Sequence, residues 1–440
     1  MPASKKREPA TSVPNDVDNL VGHVSGNSVG GHLFADPVRL FSDPDPGPDE
    51  KSFHDPNVDA QYYNSGYYPV HRDQIQLFPR SIPDPPRVDL AQILGPNLLQ
   101  PIAASGQITF HSVGDTGASS TALIGPEASV ADAMARDVQG TASPAPAFLF
   151  HLGDVVYSFD EGQYFYDQFY EPFRRYDRPI FSIAGNHDGA VYGPNVDAPA
   201  APTLQAFLRN FCASSPGPSP DAPASARTTM TQPGVYFVLD APFVSIIGLY
   251  SNVLESPGVI SSQKGHFALP DDQLTFLSSE LGRLKADREA MKRAIVLAVH
   301  HPPVSFDGTH GSSPVMANDI DGVCQQAGVW PDLVLSGHAH LYQRFTRTVG
   351  GVSIPYVVAG SGGHLARPPR TGLPTAPHSF GNYELVVDPI FELGYMKLTV
   401  DMGAKPNPTF TGEFCSCASA PTRDGFVLDL VTRAVETSTP

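Results

Sequence analysis

Apolar runs along this chain repeatedly end in a short polar motif. Ile108 to Val113 leads into Gly114-Asp115-Thr116-Gly117. Ala147 to Leu152 leads into Gly153-Asp154-Val155-Val156-Tyr157, and Ile180 to Ala184 into Gly185-Asn186-His187-Asp188. Further on, Ala294 to Val299 precedes His300-His301-Pro302, and Leu333-Val334-Leu335 precedes Gly337-His338-Ala339-His340. Short apolar runs bounded by turn residues are the pattern of buried strands. Val244 to Leu249 is another such run, as is Ile354 to Ala359, which ends in Gly360-Ser361-Gly362-Gly363. Helix-length stretches lie between them. Ser129 to Val138 and the aromatic-rich Tyr164 to Tyr176 are two. Asp271 to Ala286 is a third, with Leu274, Leu277, Leu281 and Leu284 on one stripe. Strands alternating with helices predict an α/β fold, and loops at the carboxyl ends of strands are where open α/β sheets assemble their sites.

Those loops carry a consistent chemistry. Asp, Asn, His and Tyr offer the oxygen and imidazole donors that suit Fe, Zn or Mn. His338 and His340 are alternate residues, so an extended backbone turns them to one side. Taken singly, each motif has an ordinary explanation: a helix cap for Asp154, a turn for Gly185 to Asp188, a loop histidine beside Pro302, a core ring for Tyr157. Five in order, each after an apolar run, predict a two-metal site. Cations held about 3.5–4 Å apart can clamp a phosphoryl group and activate a water between them.

Composition narrows the partners. The net charge is −17, and no Lys/Arg cluster follows Lys5-Lys6-Arg7. A nucleic-acid backbone is therefore not the expected partner, since it calls for clustered cations. A local positive site made by metals is compatible with an acidic chain. No apolar segment follows the N-terminal charges and none approaches the ~18 residues of a membrane span, so a cytoplasmic chain without a visible signal peptide is expected. The four cysteines are too few for a disulfide scaffold, and Cys415-Ser416-Cys417 reads as two ordinary thiols. Residues 1–104 form a Pro/Gly-rich N-terminal extension, with one short helix expected at Leu90 to Leu99. Residues 105–440 form the second unit, in which 190–232 is a Pro/Ala/Ser-rich insertion around a helical piece at Thr203 to Phe211. The insertion either overhangs the site or is solvated.

The motifs resemble those of the calcineurin-like metallophosphoesterase superfamily, and within it the purple acid phosphatase-like branch, over roughly residues 106–402. The branch pattern D-x-G, G-D-x-x-Y, G-N-H-[DE], V-x-x-H and G-H-x-H is met at Asp115 to Gly117, Gly153 to Tyr157, Gly185 to Asp188 and Gly337 to His340, and at His300 with Leu297 where the pattern has Val. Many other members have D-x-H first. Here Gly117 stands in that place, and Tyr157 is the residue the purple branch uses instead. The resemblance implies a four-layer α/β/β/α sandwich, though without the β-sandwich domain that plant members carry ahead of it.

It also implies roles. Asp154 would bridge two metal ions. Asp115, Tyr157 and His340 would complete the first, where a phenolate favours Fe(III). Asn186, His300 and His338 would complete the second, a divalent Fe, Zn or Mn. His187 resembles the acid that orients phosphate or protonates the leaving group, with Asp188 holding its ring, and His310 falls where purple enzymes carry a substrate-facing histidine. The implied activity is a phosphomonoesterase in which a hydroxide on the metals attacks phosphorus, acting on a small phosphorylated substrate. A phosphodiesterase acting on nucleotides or phospholipid head groups is the alternative, and a catalytically inactive metal-binding protein is another. Physiological substrate and oligomeric state are left open.

Overall fold

The protein is described by a computed structural model covering residues 83–118, 121–140, 144–157, 162–189, 204–251, 258–262, 271–306, 312–364 and 375–438. Among these residues there are two β-sheets. The nine-stranded sheet uses β1 (Arg87–Asp89), β5 (Phe237–Ala241), β6 (Val244–Gly248), β7 (Ala294–Ala298), β8 (Leu333–Ser336), β9 (Tyr342–Val349), β10 (Val352–Ala359), β11 (His378–Phe380) and β12 (Tyr383–Leu385). Its order is β1-β5-β6-β7-β8-β10-β9-β12-β11, and β6, β7, β8 and β10 run parallel. The seven-stranded sheet uses β2 (Gln107–Val113), β3 (Pro146–His151), β4 (Ile180–Ser182), β13 (Gly394–Asp401), β14 (Thr409–Ser416), β15 (Asp424–Asp429) and β16 (Val435–Ser438). There β2, β3 and β4 are parallel, and β13 joins β2 antiparallel with Met396 opposite Ser112.

The side chains sort into layers as the apolar patterns require. Ile108, Phe110, Phe148 and Phe150 of one sheet meet Leu239, Ile246, Val296 and Val357 of the other in a shared core. The nine-stranded sheet turns Ile247, Ile295 and Leu297 outward. They meet Leu277, Leu281 and Leu284 of the helix Asp272–Glu289, and Met316 and Ile320 of the helix Pro314–Ala327. The seven-stranded sheet turns Val113 and Leu149 toward Val130, Met134 and Val138 of the helix Ile124–Gln139. The result is the helix–sheet–sheet–helix sandwich, each sheet buried on both faces where its strands are parallel. No described helix is long and apolar enough to cross a membrane.

Three local expectations change. Leu90 to Leu99 is two helices, Leu90–Ile93 and Pro96–Ser105. Gly95-Pro96 separates them: Gly95 is extended, at φ −68° and ψ 164°, and Pro96 takes the first position of the second helix, where its missing N–H costs no helical bond. β1 pairs parallel with β5, so residues 87–105 of the Pro/Gly-rich stretch are built into sheet and core; residues 1–82 lie outside the described residues. Tyr164 to Tyr176 is not an α-helix. It holds a five-residue π turn, Tyr166–Tyr170, followed by a 3₁₀ turn at Pro172–Arg175. Pro172 supplies no N–H to continue a helix, and Phe165, Phe169 and Phe173 all point into the core beside the helix Ile124–Gln139. Within the insertion, 190–203 lie outside the described residues, but Leu204, Phe207, Phe211 and Ala222 are buried. Phe207 and Phe211 stack on one another, and Phe211 also meets Phe169.

Candidate metal centre

The carboxyl ends of β2, β3 and β4 face those of β7, β8 and β10, and hydrogen bonds cross between them. Gly114 N–H donates to Ala359 O at 2.9 Å, and His338 N–H donates to Asp115 Oδ2 at 2.8 Å. Three of the expected ligands sit in the left-handed backbone region immediately after their strands: Asp115 at φ 60°, Asp154 at φ 54° and His338 at φ 66°. Such residues cost on the order of 1–3 kcal/mol each and persist where the surroundings impose them. Asp and His tolerate the region better than branched residues do, and the bend it makes turns each side chain back across the sheet ends.

The donors converge around Asp154. One group combines Asp154 with His300 and His338, another Asp154 with Asp115 and His340; within each, the candidate ligand atoms lie within 4.8 Å of one another. Asn186 Oδ1 is 2.9 Å from both His300 Nε2 and His338 Nδ1. The Tyr157 hydroxyl is 3.3 Å from His340 Nε2 and 3.5 Å from Asp115 Oδ1. Asp115, Asp154, Tyr157, Asn186, His187, His300, His338 and His340 are each at most 4% exposed. Buried charge at this density calls for compensation. Among the described residues no Lys or Arg pairs with Asp154. Its Oδ1 accepts from His187 N–H at 3.0 Å, and its Oδ2 makes no hydrogen bond but lies 3.4 Å from His300 Nε2.

The histidine tautomers suit a cation. His300 Nδ1 is 2.8 Å from Leu152 O. A carbonyl only accepts, so Nδ1 holds the hydrogen and Nε2 turns a lone pair toward Asn186 Oδ1, itself an acceptor. A metal ion resolves two facing lone pairs by binding both. Without one a proton does so: burial opposes charge on His300, but the Asp154 carboxylate outweighs it and pushes the imidazole up to about 9. Burial likewise works against the Asp154 charge, and His300 with His187 overcomes it, holding that carboxyl well below the usual range.

Gly117 explains the D-x-G form of the first motif. A Cβ there would meet Gln168 Oε1 at 2.6 Å, Val155 O at 2.8 Å and Tyr157 Cδ2 at 3.0 Å. A side chain at position 117 would overlap the Val155 carbonyl and the Gln168 amide oxygen that holds the Tyr157 backbone, and would press on the Tyr157 ring.

His187 belongs to neither ligand group, and its ring lies 4.3 Å from that of Tyr157. Asp188 does not hold the His187 ring as expected. Its carboxylate accepts from Val155 N–H at 3.0 Å, Val156 N–H at 3.2 Å and Gly185 N–H at 2.9 Å, clamping the second motif to the third. Burial and the nearby Asp154 charge raise its pKa, against the pull of those N–H groups. His310 lies outside the described residues.

Sequence reasoning missed four residues. Gln168 grips the Tyr157 backbone twice, accepting from its N–H at 2.9 Å and donating to its carbonyl at 2.8 Å. His151 accepts from Gly153 N–H at 3.1 Å, so its Nε2 donates to Thr116 Oγ1 at 3.0 Å. His301 takes its place beside His338, with ring centroids 4.3 Å apart, and shares a 2.9 Å hydrogen bond with Ser251. His364 stacks on Tyr157. Only His301 and His364 had a signal: one is the second histidine of its motif, the other follows Gly360-Ser361-Gly362-Gly363 directly.

A family model described as calcineurin-like phosphoesterase matches residues 109–342. The chain belongs to the calcineurin-like phosphoesterase family. That match spans all five motifs and the strands that carry them. Among solved structures, the chain is similar to GAP50, the anchor in the inner membrane complex of Plasmodium, at 13% identity over 76% of this chain and 88% of that one, with TM-score 0.47. It is similar to PhoD at 13% identity over 76% and 72% of the two chains, TM-score 0.45. A dimetal phosphatase from Danio rerio is similar at 12% identity over 76% and 98%, TM-score 0.38. No curated protein sequence matches this chain.

Proposed function

We propose that this phosphoesterase is a dinuclear metal-dependent hydrolase of the purple acid phosphatase-like kind, acting on phosphomonoesters. The observation that carries the reading is the position of Asp154, common to both donor groups and buried with one oxygen free of hydrogen bonds. Asp115, Tyr157 and His340 would hold Fe(III) beside it, and Asn186, His300 and His338 a divalent Fe, Zn or Mn. When bound, the two cations would neutralise phosphoryl oxygens and acidify a water.

The chain's own residues do the rest. Asp154 supplies negative charge to both groups, and His338 N–H holds the Asp115 carboxylate in place. The near-complete burial of these side chains keeps their electrostatic interactions strong. His187, outside both groups, orients the phosphate or delivers a proton to the leaving-group oxygen. The preference for monoesters and for Fe(III) rests on the purple-branch pattern at Gly117 and Tyr157.

Metal analysis and a visible spectrum of the purified protein, followed by a panel of phosphomonoesters and phosphodiesters, test this reading. Two metals per chain, a charge-transfer band in the oxidised iron form that Tyr157→Phe abolishes, and faster monoester turnover are expected. Diester turnover exceeding monoester turnover would overturn the substrate assignment. An oxidised iron form with no band, or a band that persists in Tyr157→Phe, would remove the chain from the purple branch.

A further inference from the structure

One glycine-rich segment at the site has no part in the chemistry above. Gly360-Ser361-Gly362-Gly363-His364 follows β10 and runs against the first motif. Gly362 N–H donates to Gly114 O at 3.1 Å, and a Cβ at Gly362 would overlap that same carbonyl. His364 then binds both ends of Asp115-Thr116-Gly117: its N–H donates to Asp115 O at 2.9 Å, and its ring Nδ1 donates to Gly117 O at 3.2 Å. The first bond fixes the backbone of this buried residue and the second its imidazole. The fixed ring lies on the Tyr157 phenol, with centroids 3.9 Å apart and planes within 15°, and meets His340 edge-on at 4.6 Å.

We propose that His364 is a positioning residue for the first metal, clamping the Tyr157 ring so that its oxygen stays between Asp115 and His340. The proposal rests on the reading of Tyr157 as a ligand and adds a residue outside the five motifs. The Tyr157 backbone is held by Gln168, but backbone bonds leave rotation about the side-chain bonds free. A flat neighbour at stacking distance restricts that rotation. Offset or stacked aromatic pairs contribute beyond the area they bury, and partners that orient a ligand commonly govern metal affinity by 10–100-fold.

The test compares full-length wild type, His364→Ala and His364→Phe. Each metal-free protein is titrated with Zn by calorimetry, and the oxidised iron form is examined by visible spectroscopy. Circular dichroism and thermal unfolding establish that the variants fold. His364→Ala is expected to weaken one of the two Zn sites by roughly 10–100-fold, leave the other unchanged, and shift or weaken the iron band. His364→Phe, which keeps a flat ring, should recover most of both. Unaltered Zn affinities in a folded His364→Ala protein would overturn the proposal. So would a folded His364→Phe protein as defective as His364→Ala, since the stack would then not be what matters. A wild type without the iron band refutes the phenolate reading separately, because the Zn titration still reports whether His364 supports the first site.

Discussion

The two sheets contribute unlike halves to the site. The seven-stranded sheet supplies the oxygen donors: Asp115 after β2, Asp154 and Tyr157 after β3, Asn186 after β4. The nine-stranded sheet supplies the imidazoles: His300 after β7, His338 and His340 after β8. They are held differently. Backbone bonds stitch both sides, with Gly337 N–H on His300 O at 2.9 Å and Asp115 N–H on Gly153 O at 3.0 Å, and on the histidine side Ser251 adds a side-chain hold on His301. On the oxygen side more side chains take part. Asp188 clamps Val155, Val156 and Gly185, His151 ties Gly153 to Thr116, and Gln168 holds Tyr157 at two points. The charged half has two ligands in the left-handed region and like charges close together. It is also the half that carries the more numerous side-chain supports.

The largest effect should come from the residue the halves share. Asp154→Asn should lose both metals and lower turnover by about 10³-fold or more, because the metals contribute several kcal/mol at roughly 1.4 kcal/mol per tenfold. His300→Ala should lose only the second metal. Inductively coupled plasma analysis decides between these patterns, and near-full occupancy of both sites in Asp154→Asn would sink the sharing assignment.

His187→Ala should keep both metals and lower turnover by roughly 10²–10⁴-fold, as for loss of a positioned acid. The loss should shrink for nitrophenyl esters, whose leaving groups need less protonation. Equal losses across a leaving-group series would instead make His187 a phosphate-orienting residue.

Asp188→Asn tests the supports directly. One amide oxygen cannot replace two carboxylate oxygens facing three N–H donors, and the amide N–H₂ would face like groups. Stability should fall by about 2–3 kcal/mol, with metal affinity falling alongside. Chemical denaturation of the metal-free variant measures the first; a variant as stable as wild type would show that the backbone holds both halves alike.

The effect that vanishes at neutral pH is a slope. His151 is fully buried, and desolvation lowers its pKa to about 3, against about 6.5 in an unfolded chain. The unfolded state therefore binds a proton first as pH falls. The contribution of neutral His151 is complete above about pH 6.5 and is lost as pH falls toward 3, at up to about 1.4 kcal/mol per pH unit. His151→Gln should flatten the acid side of the stability profile after other groups are accounted for. An unchanged slope would place the acid sensitivity elsewhere.

Much of this was legible in the chain. Apolar runs ending in Asp115, Asp154, Asn186, His300 and His338 specify strands and the loops after them, because burial on both faces demands unbroken apolar sequence. The Tyr164 to Tyr176 stretch misled, since aromatic content signals burial and not helix. Asp188 misled because its neighbour His187 is near in sequence, while its true partners are backbone N–H groups on two loops, invisible to side-chain pattern.

By itself the sequence determined the candidate donor types, their order and an α/β alternation, since these follow from local periodicity and donor chemistry; the layering came from the family resemblance. Only the tertiary structure decided which donors share Asp154, why position 117 must be glycine and that His364 lies on Tyr157. Those facts concern residues far apart in the sequence, brought together by the packing of two sheets, and no local pattern encodes a contact of that kind.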